Sequence, residues 1–410
     1  MSSQSFFDGN TQSKDAVGKR VLIIVENLTV PLDRRVWQEA RSLRDAGYVV
    51  SVICPVGGDY QDRYEVLENI HIFRHTLPTE ADTAFGYLVE YTAALFWEFR
   101  LAFKVLRKPG FDVIQACNPP DLIFIVGLFF KIFFRKKFIF DHHDINPELY
   151  EAKFGKRGFF WRLLLFFERL TFKAADASIA TNQTFKDIAV KRGGMDTEKV
   201  FIVRSTPDAS RFKRPLHEVE RAESNTFMVG YVGIIGRQDG VDLLIHAIHH
   251  LVIDLGLDFV RCKIVGSGTE VDGLKQLSTS LGLSDHIEFT GFLSGDDLLQ
   301  ALSSFDAGVI PDPKNVYNDK ISMNKVFEYM AMGVPFVQFD LIEGRRAAAN
   351  AALYAKNNEP TELAAKLKKL IEEPELLEQL VENGRIRSST MFKWADDQKA
   401  LLSAYEAALA

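Results

Sequence analysis

Residues 315–346 read NVYNDKISMNKVFEYMAMGVPFVQFDLIEGRR and decide the fold, because they contain a polar loop, a helix and a buried strand in that order. The helical pattern ends at Gly333, and Pro335 follows as a second stop signal. The next run, residues 336–339, is apolar on both faces, which is typical of a buried parallel strand, and Asp340 stands at its carboxyl end. Ligands of open α/β sheets bind at such strand ends. The stretch therefore predicts a doubly wound α/β fold with a ligand site.

The rest of the chain repeats this alternation of strand and helix in two rounds, which predicts two doubly wound parallel sheets. A length of 410 residues with ordinary apolar and charged fractions also fits two domains of roughly 200 residues each. The linker is predicted near residues 205–215, where prolines interrupt regular structure. The predicted strands are residues 20–25, 49–54, 113–116, 138–140, 177–180 and 200–203 in the first round, and residues 227–232, 261–265, 287–289, 307–310 and 336–339 in the second.

Two blocks of the sequence resemble one known family. Residues 315–346 are similar to the donor-nucleotide segment of glycosyltransferase family 4, retaining enzymes of the GT-B fold. Residues 27–55, NLTVPLDRRVWQEARSLRDAGYVVSVICP, are similar to the first βα unit of bacterial members that build surface polysaccharides. The resemblance covers most of residues 19–400. It implies an α/β architecture of two Rossmann-like domains that face each other across a cleft.

The expected domain limits combine the pattern with the resemblance. Residues 1–18 form a disordered tail, residues 19–206 an acceptor-binding domain, and residues 207–390 a nucleotide-sugar-binding domain. The last helix, residues 391–410, is expected to pack back on the amino-terminal domain, as it does in the family.

Composition narrows the function classes. The net charge of −6 argues against nucleic acid as the main partner. Cys54, Cys117 and Cys262 fit neither a disulfide framework nor a zinc site, so they predict core thiols in a reducing compartment. The polar start of the chain lacks the apolar core of a signal peptide, and no apolar run reaches the roughly 18 to 20 residues of a spanning helix. A cytoplasmic location is expected.

Two segments of the amino-terminal half mix basic and bulky apolar residues. They are residues 129–138, FFKIFFRKKF, and residues 155–173, GKRGFFWRLLLFFERLTFK. In the second, Arg162, Arg169 and Lys173 share one helical face. Two interpretations stay open: peripheral docking on the inner face of the cytoplasmic membrane, or a buried helix with a thin charged edge.

The turn VGIIGRQDGVD, residues 232–242, follows a predicted strand and precedes a predicted helix. Its backbone amides and the helix dipole favour a diphosphate, and Arg237 adds positive charge, which makes Gly233 and Gly236 candidate donor contacts. Glycine turns are common in α/β folds, so a structural turn is the alternative. Many family members carry a basic residue where this chain has Gln238, Asp239 and Gly240. Lys325 is a candidate to compensate.

The resemblance implies the remaining donor contacts. Gly268, in the second glycine turn GSGTE, lies beside the nucleotide in the family. The base is expected against Thr290, Gly291 and Phe292, and the ribose is expected on Glu328, since a carboxylate accepts hydrogen bonds from both sugar hydroxyls.

The usual family glutamate eight residues before Glu328 is replaced here by Lys320. Asp319, the nearest acid, is interpreted as a contact to the donor sugar in the catalytic centre. The alternative for both carboxylates is a position on the solvated surface without a ligand, and it fits Asp319 better than Glu328.

The amino-terminal domain is expected to hold the acceptor side. The motif FDHHDINPE, residues 140–148, lies just beyond a buried strand, and the family keeps a histidine there near the reacting sugar. His143 and Asp144 match that position better than His142 and are the predicted catalytic residues. Adjacent histidines also suggest metal, but neighbouring strand residues point opposite ways and no third ligand is recognisable, so a polar contact is preferred.

Asp33, Arg34 and Arg35 follow the first strand and are predicted to bind the acceptor. Arginine forks suit phosphate, which a lipid-diphosphate acceptor would carry. Salt bridges across the cleft are the alternative for Arg35. Glu148 is predicted to bind the acceptor or to orient its loop.

The predicted reaction is retaining transfer of a sugar from a nucleotide-diphosphate-sugar donor to a glycan or a polyprenyl-diphosphate-linked glycan. Charge on the leaving diphosphate is the main target for catalysis, and Arg237 and Lys325 would stabilise it without a metal ion or another cofactor. In this family the departing phosphate oxygen is thought to take the acceptor proton. The alternatives are a GT-B nucleotide-sugar 2-epimerase and a noncatalytic binding partner in a membrane assembly.

Overall fold

The computed structural model describes residues 18–76, 84–207, 212 and 226–410, without the side chains of residues 84–91. The predicted tail, apart from Gly18, and most of the predicted linker lie outside these residues.

The chain divides into two compact units. The first comprises Met1–Pro147, Lys156–Val203 and Asp397–Ala410, and the second comprises Glu148–Gly155 and Arg204–Asp396. The end of the chain thus belongs to the first unit, and a short segment beginning at Glu148 belongs to the second.

The described residues of the first unit form an eight-stranded sheet in the order β3-β4-β2-β1-β5-β6-β7-β8. Every pairing is parallel except the β3–β4 hairpin. The strands are β1 Arg20–Ile24, β2 Val49–Pro55, β3 Tyr64–Leu67, β4 Ile70–His75, β5 Val113–Cys117, β6 Lys137–His142, β7 Ala177–Ala180 and β8 Val200–Ile202.

The described residues of the second unit form a six-stranded parallel sheet in the order β11-β10-β9-β12-β13-β14. This is the Rossmann order, in which strand succession reverses beside the first strand. The strands are β9 Phe227–Val232, β10 Val260–Val265, β11 Ile287–Gly291, β12 Ala307–Ile310, β13 Phe336–Phe339 and β14 Ala352–Ala355.

Most of the helices lie between these strands along the chain. The helices are α1 Arg34–Asp45, α2 Ala84–Arg107, α3 Phe124–Phe134, α4 Asn146–Phe154, α5 Phe159–Ala174, α6 Gln183–Lys191, α7 Val241–His249, α8 Val271–Ser280, α9 Gly295–Ser303, α10 Asn324–Met332, α11 Ile342–Ala348, α12 Pro360–Glu372, α13 Pro374–Thr390 and α14 Trp394–Leu409. Of these, α12, α13 and α14 follow the last strand.

Local sequence signals explain several helix ends. Asp33 caps α1 by accepting a hydrogen bond from the amide of Val36 at 3.0 Å, and Asn182 caps α6 in the same way. Gly333 ends α10 with a left-handed φ of 63°, so the predicted stop of this helix is confirmed.

All eleven predicted strands are present, with limits that differ by at most a few residues. The prediction missed β3, β4 and β14. The β3–β4 hairpin turns at Glu68 and Asn69, which both have positive φ. Glu68 is an unusual residue for this conformation, so the turn carries no standard signal.

Helix α5 exposes a mixed face. Phe159 and Phe166 are 73% and 55% exposed, and Arg162, Arg169 and Lys173 are exposed beside them. Among the described residues, no helix combines the length and apolar character required to span a membrane.

Candidate functional site

The order of the parallel strands reverses once in each sheet, and these reversals mark where ligands of such folds bind. In the first unit the reversal lies between β1 and β5, and in the second it lies between β9 and β12. The predicted residues Asp33, Arg34 and Arg35 follow β1, and the turn from Gly233 to Arg237 follows β9. The sequence therefore places candidate residues beside both reversals.

In the first unit, Arg35 is the centre of a buried cluster. Its guanidinium Nη2 lies 3.1 Å from the Glu39 carboxylate and 3.0 Å from Asp141. Its Nη1 donates to the carbonyl of Val203 at 2.9 Å. His143 Nε2 lies 3.0 Å from Arg35 Nε and 2.9 Å from Asp141 Oδ2. The two predicted residues Arg35 and His143 are thus brought together through Asp141.

The charges in this cluster shift one another's pKa values. Burial acts to raise the pKa of Asp141, but Arg35 and His143 outweigh it and hold that pKa well below its usual range. Burial acts to lower the pKa of His143, but Asp141 outweighs it and the pKa is raised. Burial, together with Asp141, raises the pKa of Glu39 to about 8 although Arg35 opposes it. Asp141 thus favours protonation of His143, whereas Arg35, whose Nε donates to His143 Nε2, opposes it.

Two further side chains, absent from the predicted site, hold this cluster. Gln115 of β5 donates to Glu39 at 2.7 Å and to Asp141 at 2.8 Å. Tyr405 of α14 donates to the side-chain carbonyl oxygen of Gln115 at 2.5 Å, and both side chains are fully buried.

Asp141 could have been predicted from the sequence as a partner of His143, because it stands two residues before it. Tyr405 lies too far along the chain for any pattern to show its partner.

Asn118, directly after β5, fixes the backbone that carries the predicted catalytic pair. Its side-chain oxygen accepts from the amides of His143 and Asp144 at 2.8 and 3.2 Å, and its amide donates to the Asp144 carbonyl at 2.7 Å. His142 is turned away and packs among phenylalanine rings. The preference for His143 over His142 therefore has a geometric reason.

Cys117, Asp141 and His143 place ligand atoms within 4.8 Å of one another, which is close enough to hold a metal ion. His142, the second of the adjacent histidines that suggested a metal in the sequence, is not part of this group. However, burial raises the pKa of the Cys117 thiol well above its usual value, and Arg35 already places a cation on Asp141. These residues fit an ion-pair network better than a metal centre.

In the second unit, two glycine turns approach each other closely. A Cβ atom at Gly266 would lie 1.8 Å from the carbonyl oxygen of Gly233, and one at Gly268 would lie 2.2 Å from that of Ile235. Both positions therefore require glycine for packing. The predicted nucleotide contact at Gly268 stays a prediction.

Lys325 lies beneath the first of these turns. Its Nζ is 2.8 Å from the Asp312 carboxylate and 4.6 Å from the centre of the Tyr231 ring. A Cβ atom at Gly233 would come within 3.7 Å of this Nζ. Burial acts to lower the pKa of Lys325, but Asp312 and its neighbours outweigh it, so the pKa is raised. The ammonium group of Lys325 is therefore a permanent buried cation at the reversal between β9 and β12. Its partner Asp312 was not among the predicted site residues.

The same turn contains a carboxylate. Asp239 Oδ2 accepts a hydrogen bond from the Gly236 amide at 2.9 Å. Burial raises the pKa of Asp239 to about 6, although Lys325 opposes it. Arg237, the predicted phosphate contact, is exposed on this turn.

The other predicted donor residues lie on neighbouring elements. Glu328 is buried on α10, one turn after Lys325, so the solvated alternative does not apply to it. Thr290 and Gly291 end β11, and Phe292 follows with 58% of its surface exposed.

Asp319 and Glu148 already have partners within the second unit. Asp319 accepts from the amide of Ile342 at 2.8 Å, and so caps the start of α11. Glu148 lies 2.8 Å from Lys320 Nζ and is buried. The roles predicted for Asp319 and Glu148 in ligand binding stay predictions.

Two family models match the chain. The model described as Glycosyltransferase Family 4 matches residues 32–211, and the model described as Glycosyl transferases group 1 matches residues 212–387. The chain belongs to glycosyltransferase family 4.

The curated proteins that match the chain are distant in sequence. The 2-deoxystreptamine glucosyltransferase of Streptomyces kanamyceticus is 24% identical over 211 residues, which cover 49% of this chain and 52% of that protein. The chain spans about half the length of the curated relatives it matches.

Solved structures share the fold over nearly the whole chain. Sucrose-phosphate synthase from Thermosynechococcus elongatus superimposes with a TM-score of 0.78 at 17% identity, covering 95% of this chain and 98% of that one. Anabaena HepE, solved in complex with UDP-glucose, gives a TM-score of 0.70 at 18% identity, covering 94% and 99%. The predicted GT-B fold, with two Rossmann-like units, is confirmed.

Proposed function

We propose that this protein is a retaining glycosyltransferase that moves a sugar from a nucleotide-diphosphate-sugar donor to a glycan or lipid-linked glycan acceptor. The observation that carries the proposal is the pairing of buried Lys325 and buried Glu328 on one face of α10, beside the glycine turn after β9. A cation beneath a turn suits a diphosphate, and a carboxylate one helical turn away suits the ribose hydroxyls. The matched family and the UDP-glucose complex of HepE support the same donor class.

The chemical step breaks the bond between the sugar and the diphosphate, so negative charge develops on the leaving oxygen. Lys325 and Arg237 would stabilise that charge, with the amino end of α7 adding a favourable dipole. Because these groups already supply positive charge, we propose that the reaction requires no metal ion.

The acceptor side is assigned to the first unit. His143 is held in one orientation by Asp141 and Arg35, while Asn118 fixes its backbone. An imidazole in that place would bind hydroxyl or phosphate oxygens of the reacting sugars. Exposed Arg34 is the candidate contact to a phosphate of the acceptor.

We further propose that the acceptor is a polyprenyl-diphosphate-linked glycan of a surface polysaccharide, reached at the cytoplasmic face of the membrane. The support is the aromatic and basic face of α5, together with Ile132 and Phe133 at the end of α3, which are 62% and 68% exposed. Exposed rings beside Arg and Lys suit an anionic lipid surface.

The donor assignment is tested by binding. UDP-glucose, GDP-mannose and ADP-glucose are titrated into the wild type, Glu328→Gln and the control Glu382→Gln, which changes an exposed glutamate of α13. One of these sugar nucleotides should bind the wild type and the control alike. Glu328→Gln should bind it about ten- to a hundredfold more weakly, because a charge-assisted hydrogen bond is lost. Equal binding by Glu328→Gln would refute the ribose assignment, and no binding by the wild type would refute the donor site.

The membrane assignment is tested by flotation with vesicles that contain phosphatidylglycerol. The double change Phe159→Ser and Phe160→Ser should remove most of the vesicle-bound protein, while Ile253→Ser, at a similarly exposed position of the second unit, should not. Equal flotation of all three proteins would contradict the assignment.

A further inference from the structure

Asp239 lies where a phosphate of the donor would bind. Its carboxylate accepts the hydrogen bond of the Gly236 amide at 2.9 Å, and that amide belongs to the turn proposed to hold the diphosphate. Asp239 also falls in the short segment where many family members carry a basic residue. This chain therefore has an anion in a place that suits either a cation or the bound phosphate itself.

The charges around Asp239 do not favour a second anion. Lys325 of α10 faces it, but the same ammonium is paired with Asp312, which follows β12. Lys153, in the part of α4 that belongs to the second unit, is exposed and adds a more distant positive charge. With Asp239 ionised, the buried ammonium of Lys325 is balanced by two carboxylates. A diphosphate that enters this turn meets a carboxylate on the Gly236 amide, and the uncompensated positive charge left in the turn is that of the exposed Arg237.

We propose that Asp239 is a proton-operated gate on the donor site: binding of the nucleotide-diphosphate sugar takes up one proton on Asp239 and releases the Gly236 amide to the diphosphate. The proposal rests on the donor site proposed above. A protonated carboxyl group has lost its charge and can donate a hydrogen bond to a phosphate oxygen. The residue thus makes donor affinity depend on pH in a range where an arginine or lysine would not titrate.

The sign of the effect follows from linkage. Burial raises the pKa of Asp239 to about 6 before any ligand is present. A bound diphosphate would raise this pKa further, because a second negative charge disfavours ionisation. Donor affinity should therefore be constant below about pH 6. Above it, affinity should fall by up to about tenfold per pH unit, because each binding event must take up a proton.

The choice of probe matters because free nucleoside diphosphates titrate in the same range. Their terminal phosphate has a pKa near 6. The diphosphate of a sugar nucleotide is esterified at both ends and keeps its charge across this range. UDP-glucose, GDP-mannose and ADP-glucose are therefore titrated calorimetrically at pH 5.5, 6.5, 7.5 and 8.5, in two buffers of different ionisation enthalpy to count the protons taken up.

The test compares the wild type with Asp239→Asn and with Asp242→Asn, which changes an exposed acid in the first turn of α7. Asparagine at position 239 can still accept the hydrogen bond of Gly236 but carries no charge. The wild type and Asp242→Asn should lose affinity above pH 6 and take up close to one proton at pH 7.5. Asp239→Asn should bind with constant affinity, take up no proton, and bind at least tenfold more tightly than the wild type at pH 8.5.

Several results would overturn the gate. Affinity of the wild type that does not change with pH, or that changes equally in Asp239→Asn, would show that the carboxylate only caps the turn. Binding by the wild type that requires added Mg²⁺ and is lost in Asp239→Asn would show a metal bridge instead. If no sugar nucleotide binds either protein even at pH 5.5, the proposed donor site itself fails and the gate with it. Binding to Asp239→Asn alone, even at pH 5.5, would support the donor site but overturn the gate, because the protonated wild type should also bind at that pH.

Discussion

The two sheets build their candidate sites in different ways at the same topological place. In the first unit, side chains from α1, β5, β6 and α14 hold one another through buried hydrogen bonds centred on Arg35 and Asp141. In the second unit, the backbone of one glycine turn rests on the backbone of another, and the distance from Gly266 to Gly233 leaves no room for a side chain. A side-chain network orients an imidazole, whereas closely packed turns present amides to an anion.

Because the first site is built from paired buried charges, it should be most sensitive to the loss of a charged side chain. Arg35→Ala should lower the free energy of unfolding by about 3–5 kcal/mol, because Glu39 and Asp141 would lose their shared buried cation. Urea unfolding measures the loss. Arg34→Ala, one residue away and exposed, should change stability by no more than about 0.5 kcal/mol.

A loss of less than about 1 kcal/mol in Arg35→Ala would mean that the carboxylates of the first cluster do not depend on Arg35. The double variant with Glu39→Gln sharpens the result. If the charges interact as described, this double variant should lose less stability than the sum of the two single changes.

Because the second site is built from two closely packed backbone turns, it should be most sensitive to a side chain added between them. Gly266→Ala should cost about 3 kcal/mol, because its φ of 148° and the 1.8 Å approach to the Gly233 oxygen both oppose a Cβ atom. Gly273→Ala is the matched control, because it lies within α8 with open space around it and should stabilise the protein by about 0.5–1 kcal/mol. Thermal unfolding of both variants measures the difference. Equal melting temperatures would contradict the close packing of the two turns.

The smallest predicted effect concerns the far end of the first network. Tyr405→Phe removes one hydrogen bond to Gln115 and leaves a buried acceptor, so it should cost about 1–2 kcal/mol. The pKa of His143, followed by NMR, should fall in this variant if Gln115 orients Asp141 toward the imidazole. An unchanged pKa would limit Tyr405 to anchoring α14.

Much of the fold could be predicted because buried strands have a strong local signal. The runs that became β9 and β12 are apolar throughout, β13 contains one polar residue, Gln338, and the turns that follow these strands contain glycine, proline or acidic residues. The β3–β4 hairpin was missed because Glu68 and Asn69 give no standard turn signal. His143 was nominated from its place after a strand together with the family resemblance, Glu328 of α10 from the resemblance, and Lys325 of α10 as a compensating charge.

The partners of those residues could not be predicted, because a hydrogen bond depends on a distance and not on a residue type. Tyr405 meets Gln115 across 290 residues of chain, and no periodicity links them. Likewise, the buried Asp312 was not distinguishable from an ordinary loop acid until the structure placed it 2.8 Å from Lys325.

The sequence by itself therefore determined the two parallel sheets, the family and the neighbourhoods of both candidate sites, because hydrophobic alternation and glycine turns are local properties. Tertiary structure alone decided which charges are paired, which pKa values are shifted and which glycines are indispensable. Those properties arise from close approach between distant segments, such as Asp239 at the Gly236 amide beside Lys325, where burial strengthens every electrostatic interaction.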